Sequence, residues 1–264
     1  LSPNFNLVEG VELQSLTNTT LNSLIEDFLA EELEAETQKA FAFLAEENNT
    51  QQLYDILNSI FAMRHRLIDH GFDSSKIRDY LGLQEAESEE KIFKTFFSDD
   101  NFPATKIMAL ANAFDNGSPT NQGQSGLLKS ICTSYDHRRT YLKGYLDVFF
   151  KTDGDTRKDS AVSKGAREYD PNAVSMFLEE QNRLATYKDR LATYRLYRST
   201  CHLMAIAQEV ISRYESIKTA RNVIDYDDLI VLTKNLFSGD QRDWVLYKLD
   251  FQIDHILVDE AQDT

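Results

Sequence analysis

Two adjacent carboxylates near the end of the chain have the residue types and spacing that metal-assisted hydrolysis requires. Asp259 and Glu260 follow the apolar run ILV at residues 256–258. Such a run is typical of a buried parallel strand, and open α/β sheets bind ligands at the edge where these strands end. One carboxylate can hold Mg²⁺ while the other orients or deprotonates water, as nucleotide hydrolysis requires. The alternative is a surface loop after an ordinary core strand.

A second acidic motif, IDYDDLI, occupies residues 224–230. Asp225 has the residue type that caps a helix N-terminus, and Asp228 falls in the first helical turn, where a carboxylate is favourable. Leu229, Ile230 and Leu232 would begin the buried face of this helix. The pattern therefore predicts a structural role for these acids and favours it over a catalytic one.

The two motifs together resemble those of superfamily 1 DNA helicases of the UvrD/Rep type, in which a DEXQD box forms the Walker B motif. The nearest resemblance is to the AddA family, the RecB-like helicase–nuclease subunits of bacterial AddAB double-strand-break repair complexes. The segments FFKTDGDTRK, RYESIKTARNVIDYDDLI and WVLYKLDFQIDHILVDEAQDT are similar to AddA segments in the same order. The resemblance is strong over residues 214–264, looser over 145–170, and limited to a helical pattern over 1–115.

This resemblance implies a mainly α fold with a short α/β portion that carries the Walker B strand. In the family, the RecA-like P-loop domain 1A is interrupted by a helical insertion, 1B, which leans on duplex DNA ahead of the unwinding junction. Residues 1–223 would be the 1B insertion, and residues 224–264 would be the return into domain 1A. The resemblance also implies ATP and Mg²⁺ as cofactors, and DNA and an AddB-like subunit as partners.

The family pattern assigns a role to each residue of the DEAQD box. By resemblance, Asp259 ligates Mg²⁺ beside ATP, Glu260 is the catalytic base, and Gln262 couples the nucleotide state to the DNA-binding motifs. A Walker A loop, GxxxxGK[ST], would be needed to cradle the phosphates, and none of the ten glycines is followed by lysine. The chain also begins at Leu1. We therefore expect an internal fragment of an ATP-dependent helicase–nuclease that neither binds ATP tightly nor hydrolyses it.

Charge is distributed unevenly along this acidic chain, whose formal net charge is −15. Residues 1–100 hold 20 carboxylates against 7 Lys and Arg, a net of −13, which would repel DNA phosphate. Residues 135–168 hold 8 Lys and Arg against 6 carboxylates, a net of +2. The candidates for DNA contact are the basic residues of that segment: Arg138, Arg139, Lys143, Lys151, Arg157, Lys158, Lys164 and Arg167.

Other interpretations of this segment stay open. Aspartates alternate with the lysines and arginines, so a solvated surface loop fits the pattern about as well as a DNA-binding one. The helical region could instead dock an AddB-like subunit, with the acidic helices of residues 20–100 facing that partner or solvent. An unrelated helical scaffold with a chance DEAQD ending is a third possibility.

The cysteines and the hydropathy pattern indicate the compartment. Cys132 and Cys201 are far apart, without metal-ligand spacing, which favours a reducing environment over a disulfide framework or a zinc site. The sequence contains neither an apolar run of the ~20 residues that span a membrane nor an N-terminal signal segment. We expect a cytoplasmic bacterial protein.

The elements that must position these residues are mostly helices, because apolar residues recur three and four apart. A first stripe runs from Leu21 to Leu33 after a start signal at Thr19 and Thr20, and a second runs from Leu53 to a stop at Gly71. Shorter helices are predicted over residues 74–81, 88–97 and 103–114, then a loop over 116–126, a helix over 127–150 and an exposed loop or irregular hairpin over 151–171.

One long helix is predicted over residues 172–220, which contain no Gly or Pro and repeat RLATYKD as RLATYRL. The repeat places Leu184 with Leu191, and Tyr187 with Tyr194, on shared faces. Its basic residues fit a solvated outer face better than a nucleic-acid surface; they are Arg183, Lys188, Arg190, Arg195 and Arg198. Strands are predicted only near the two ends, weakly over residues 5–10 and strongly over 255–259.

Overall fold

The computed structural model describes residues 5–238, 242–250, 255 and 257, most of which are helical. In chain order the elements are β1 (Asn6–Leu7), α1 (Gly10–Leu29), α2 (Ala35–Glu47), α3 (Thr50–His70), α4 (Ser74–Tyr80), α5 (Glu89–Phe97), α6 (Ala104–Asp115), α7 (Pro119–Ile131), α8 (Tyr135–Thr140), α9 (Leu142–Phe149), a 3-10 turn (Asp159–Ala161), α10 (Lys164–Tyr169), α11 (Ala173–Arg221), β2 (Val223–Ile224), α12 (Tyr226–Ser238) and α13 (Arg242–Asp250). The described residues form two compact units, one within 1–73 and 200–264 and the other within 74–199.

The first unit is built around the apolar faces of α1, α2, α3 and the later part of α11. Its buried core includes Leu24, Phe41, Leu57, Val210 and Tyr214. Phe61 packs edge-on against the ring of Tyr214 at 5.1 Å between centroids. Within one helix the buried residues recur three or four apart, as Leu57, Ile60 and Phe61 do in α3, so the core follows from the amphipathic pattern of each helix.

The first unit contains a two-stranded parallel sheet, with one strand before α1 and the other after α11. β1 pairs with β2 in the register Asn6 to Val223 and Leu7 to Ile224, and the Val8 N–H donates to the Ile224 carbonyl at 2.8 Å. The weakly predicted strand near the start of the chain is therefore present as β1. Residues far apart in sequence thus lie side by side where the helical region begins and ends.

The second unit has its own aromatic-rich core, formed by α5, α6, α7, α9 and the first part of α11. Phe97, Phe114, Tyr145, Phe149 and Phe177 are fully buried there. The Tyr145 hydroxyl donates to the Glu180 carboxylate at 2.7 Å, so the polar end of this buried ring has a partner. This core lies within residues 92–187, and its side chains come from at least five helices.

Several predicted helix ends are confirmed. α3 ends at Gly71, which has φ 71°, a conformation that glycine adopts without a Cβ penalty. Ser88 caps α5 by accepting a hydrogen bond from the Lys91 N–H at 3.1 Å. The long predicted helix is α11, in which Leu184 and Tyr187 are buried as the heptad repeat requires.

The predicted start of the first helix at Thr19 and Thr20 is wrong, because α1 begins at Gly10. Both threonine hydroxyls donate to the carbonyl four residues earlier, to Ser15 at 2.8 Å and to Leu16 at 3.0 Å. Threonine can make this bond inside a helix, so its side chain did not mark the first turn.

The predicted loop over residues 116–126 and the single helix over 127–150 are also wrong. Ser118 caps α7, and Pro119 stands at its first position, where the missing N–H costs nothing. The glycines at 123 and 126 are therefore inside a helix. The chain then breaks at residues 132–134 and at Tyr141, which gives three helices, α7, α8 and α9, in place of one.

The segment after α9 is largely irregular and exposed, as predicted for residues 151–171. An isolated antiparallel bridge joins Phe150 to Thr156, and the short α10 follows. Gly165 in α10 lies so close to Asn116 that an added Cβ would meet its carbonyl oxygen at 2.4 Å. This close approach anchors the end of the segment against the turn before α7.

Candidate functional site

The DEAQD box lies outside the described residues, so the structure places neither Asp259, Glu260 nor Gln262. Of the predicted strand over residues 255–259, only His255 and Leu257 are described. Neither residue is assigned to a strand, and Leu257 is 96% exposed. The roles of these acids in magnesium binding and catalysis stay predictions.

The upstream IDYDDLI motif forms a buried ionic cluster, which we name the Asp225 network. It comprises Asp225, Asp228, Arg64, Lys218 and Tyr214. Asp225 and Asp228 make reciprocal caps: the Asp228 N–H donates to Asp225 at 2.9 Å, and the Asp225 N–H donates to Asp228 at 2.8 Å. The motif therefore starts α12 as its sequence predicted, with both acids in structural roles. The predicted buried face is wrong for the described residues of α12, because none of them is buried and Ile230 is 66% exposed.

Two cations from other helices neutralise these aspartates. Lys218 of α11 donates to both carboxylate oxygens of Asp228 at 2.7 Å, and its side chain is only 3% exposed. Arg64 of α3 lies 3.0 Å from the Asp225 carboxylate and also donates to Asp227. The Tyr214 hydroxyl donates to Asp225 at 2.9 Å. Side chains from α3 and α11 thus fix the start of α12.

The protonation states follow from this arrangement. Burial alone would raise the pKa of the Asp225 carboxyl, but the Asp228 N–H and the charges of Lys218 and Arg64 hold that pKa below its ordinary value. Burial and the nearby Asp225 charge raise the pKa of the Tyr214 hydroxyl. Asp225 is therefore ionised and Tyr214 neutral at physiological pH, as the observed hydrogen bond requires.

The network is suited to holding structure and is poorly suited to binding a metal. His65, Asp225 and Asp227 offer ligand atoms within 4.8 Å of one another. The Arg64 guanidinium, however, contacts both carboxylates, at 3.0 and 2.5 Å. A metal cation at this position would have to displace a fixed positive charge, so we assign these carboxylates to ion pairing.

Three of the eight predicted DNA-binding residues use their guanidinium groups inside the protein. Arg138 is 3% exposed and donates to the Phe97 carbonyl at 2.8 Å. Arg157 donates to the Phe150 carbonyl at 3.0 Å, and Arg167 donates to the Val162 carbonyl at 2.8 Å. The geometry gives these arginines a structural role: Arg138 in the core, and the other two in shaping the loop.

Three more of the candidates are exposed but ion-paired. Arg139 pairs with Glu90, Lys151 with Asp155 at 3.8 Å, and Lys164 with Glu168 at 3.6 Å. The remaining two are Lys143 and Lys158. Both are exposed, and neither has an ion-pair partner among the described residues. Exposed pairs are weak and exchange partners easily, so the lysines are the candidates best able to meet a phosphate.

The five basic residues predicted for the outer face of α11 are not simply solvated. Their partners within the protein were not predicted from the sequence. Arg190 donates from two nitrogens to the two oxygens of Glu87 at 2.5 Å each. Arg195 and Arg198 both lie within 4.0 Å of Glu89. We name these contacts the α11 ion pairs. They join residues more than 100 positions apart, so no local sequence signal could have indicated them.

The other two basic residues predicted for the outer face of α11, Arg183 and Lys188, are also engaged within the second unit. Arg183 holds both oxygens of Glu180 and donates to the Phe96 carbonyl at 2.6 Å. Lys188 lies over the ring of Phe150 at 4.2 Å. The carboxylates of Glu87, Glu89 and Glu90 thus pair with cations of the same unit. They do not face only a partner or solvent.

Comparison with known families gives one match. Residues 5–264 match the UvrD/REP helicase N-terminal domain, which covers nearly the whole chain. The chain belongs to the UvrD/REP helicase family. The resemblance inferred from the acidic motifs is confirmed at this level. A search of curated proteins and a search of solved structures found no match.

Membership identifies an ATP-dependent DNA helicase family of superfamily 1, whose substrate is DNA and whose members use ATP and Mg²⁺. The acids that would meet Mg²⁺ lie outside the described residues. The described glycines form no GxxxxGK[ST] loop. None of the helices in the described part of the chain has the length and apolar composition to cross a lipid bilayer.

Proposed function

We propose that this UvrD/REP helicase segment is the helical 1B insertion of an AddA-type helicase–nuclease, together with part of the RecA-like 1A domain that flanks it. The parent enzyme would use ATP and Mg²⁺ to unwind DNA during double-strand-break repair, with an AddB-like subunit as its partner. The segment similarities at residues 145–170 and 214–264 support the AddA assignment.

The observation that carries the proposal is the parallel pairing of β1 with β2. A parallel pair needs a crossover connection, and here the crossover contains α1 to α11. Parallel sheets of two strands are not independently stable and are usually covered on both faces. This supports β1 and β2 as neighbouring strands of a larger sheet, with the intervening helices inserted between them.

The strand pairing moves the proposed domain boundary. Residues 224–264 are the proposed return into domain 1A, and β1 and Val223 join them because β1 pairs with β2. Several apolar side chains of α12 are exposed in the described structure, including Ile230 at 66% and Leu236 at 51%. This exposed apolar face of α12, beside the short sheet of β1 and β2, supports the assignment of these elements to a larger α/β domain.

Contact with duplex DNA would involve lysines of the irregular segment after α9. Lys151, Lys158 and Lys164 are exposed there, and none has a buried partner. The flanking aspartates reduce the local charge, so binding would be weak, independent of sequence, and strongly salt-dependent.

The test measures duplex binding by fluorescence anisotropy over a salt series. Changing Lys151, Lys158 and Lys164 together to Glu should weaken binding at least about tenfold at low salt and reduce the salt slope. The control is Lys39→Glu on α2, which reverses one exposed lysine outside this surface where the triple variant reverses three. Equal affinity for duplex in the triple variant and the control would exclude this surface.

The same preparation provides a second readout. Because these 264 residues hold no Walker A loop, we expect no Mg²⁺-dependent ATP hydrolysis, with or without DNA. Turnover that persists through purification, and that Glu260→Gln abolishes, would contradict this expectation.

A further inference from the structure

A groove in the second unit does not include the three lysines proposed above to contact duplex DNA, although two other candidates, Arg139 and Lys143, line it. It has a volume of about 800 Å³ and lies between one stripe of α9 and one stripe of α11, with α5 and α8 at its margin. Its apolar surface includes Leu142 and Leu146, one turn apart on α9, and Leu191 on α11. All three leucines are partly exposed although they pack against the core of the unit.

The groove carries excess positive charge in an otherwise acidic protein. Four cations line it against two acids, Glu89 and Glu90. Arg195 and Arg139 pair with these two acids. The excess is carried by the other two lining cations, Lys143 and Lys188. Lys188 donates to the neutral Gly154 carbonyl at 3.3 Å, and Lys143 has no acidic partner among the described residues.

The chemistry of the lining favours a protein segment over a nucleic acid. Single-stranded nucleic acid needs exposed aromatic faces for base stacking, whereas Phe93 and Tyr187 in this groove are only 6% and 3% exposed. Phosphate would meet Lys143 and Lys188 but would leave the aliphatic leucines uncovered. Apolar side chains flanked by carboxylates would satisfy both parts of the lining.

The backbone lining restricts the form of that segment. The walls of the groove are the helices α9 and α11, whose backbone groups bond within each helix. They offer no strand edge with which an extended peptide could pair. An amphipathic helix presents apolar residues in one row without needing such an edge.

We propose that this groove binds an acidic amphipathic helix of a partner protein. Its leucine-type side chains contact Leu142, Leu146 and Leu191, and its carboxylates pair with Lys143 and Lys188. The three lysines proposed to contact duplex DNA, Lys151, Lys158 and Lys164, do not line this groove, so the two proposals can be tested separately.

The probe is a fluorescein-labelled helical peptide of about 18 residues with leucines at i, i+3, i+4 and i+7 and glutamates at the flanking positions. We expect saturable binding to the 264-residue chain, with Kd on the order of micromolar at low salt. Affinity should fall as salt rises, because the rim charges are solvent-exposed. The reference peptides replace the glutamates with lysines, or the leucines with serines, and both should bind at least about tenfold more weakly.

Two groove variants locate the site. Lys143→Glu should lower the affinity for the acidic peptide by about fivefold or more. The Lys143 side chain is exposed, so folding should be unaffected. Leu146→Ser should weaken it by about tenfold, with circular dichroism to check that the helices persist. The matched control is Lys158→Glu, an equal charge change on an exposed lysine outside the groove, which should leave peptide affinity unchanged.

Each remaining outcome overturns the proposal. Absence of saturable binding does so, and so does equal binding of the glutamate and lysine peptides. Equal weakening by Lys143→Glu and Lys158→Glu would show non-specific charge attraction. A labelled oligothymidine that binds the chain and is weakened by Lys143→Glu, when the acidic peptide is not, would make the groove a nucleic-acid site.

Discussion

The two units of this UvrD/REP helicase segment use ion pairs in different surroundings. In the first unit, the Asp225 network is buried: the side chains of Asp225 and Lys218 are 2% and 3% exposed. In the second unit, the α11 ion pairs lie nearer the surface, and Arg195 is 57% exposed. Burial makes a charge expensive to leave unpaired, whereas solvent can replace an exposed partner. The same chemical contact should therefore be indispensable in one unit and nearly dispensable in the other.

The largest expected effect tests the buried side of this comparison. Asp225→Asn keeps the size of the side chain and a capping oxygen but removes the charge beside Arg64 and Lys218. We expect a loss of roughly 3 kcal/mol in the free energy of unfolding, the lower end for breaking a buried pair, because Asp228 still neutralises Lys218. Urea denaturation followed by far-UV circular dichroism measures this loss.

The control for that substitution lies two residues away. Asp227 also contacts Arg64, but its side chain is 50% exposed. Asp227→Asn should cost less than about 1 kcal/mol because water replaces the lost charge. If the two variants lose equal stability, burial is not what separates the two kinds of ion pair.

Lowering the pH is a second test of what the Asp225 charge contributes to stability. The folded pKa of Asp225 is lowered, so its ionisation contributes stability above the ordinary value of 3.8, and this contribution is lost as pH falls through the lowered pKa. The stability difference between the native chain and Asp225→Asn should therefore be full near pH ~6 and shrink below the ordinary value. Urea denaturation of both proteins across this range measures it, and a difference that stays constant would show that the Asp225 charge is not the cause.

The two ion-pair systems also differ in how far the sequence could predict them. Asp225 and Asp228 cap each other three residues apart, so the capping pattern indicated their role from the local sequence alone. Gly71 and the uninterrupted α11 were predicted for the same reason, because helix stops and apolar periodicity are local signals. The contact of Arg190 with Glu87 spans 103 positions and depends on how helices pack, which no local pattern encodes.

The errors in secondary structure have a related cause. Gly123 and Gly126 indicated a loop from composition, but Ser118 and Pro119 form an effective helix start, and tertiary packing of α7 against α6 outweighs the cost of two glycines. Arg138 shows the same limit for the candidate site. Its residue type and neighbours predicted a phosphate contact, while its position in the packed unit gives it the Phe97 carbonyl as a partner.

The smallest expected effects test the α11 ion pairs, through two acids that both pair with arginines of α11 but differ in exposure. Glu87 accepts from two nitrogens of the Arg190 guanidinium, and its side chain is 8% exposed, so Glu87→Gln should lower the free energy of unfolding by about 1 kcal/mol. Glu89 is 37% exposed and shared between Arg195 and Arg198, so Glu89→Gln should change it by less than about 0.5 kcal/mol. Urea denaturation at low and high salt separates the two cases, because screening should remove the small Glu89 effect first. A larger loss for Glu89→Gln than for Glu87→Gln would mean that the shared arginine contact, and not burial, determines the strength of the α11 ion pairs.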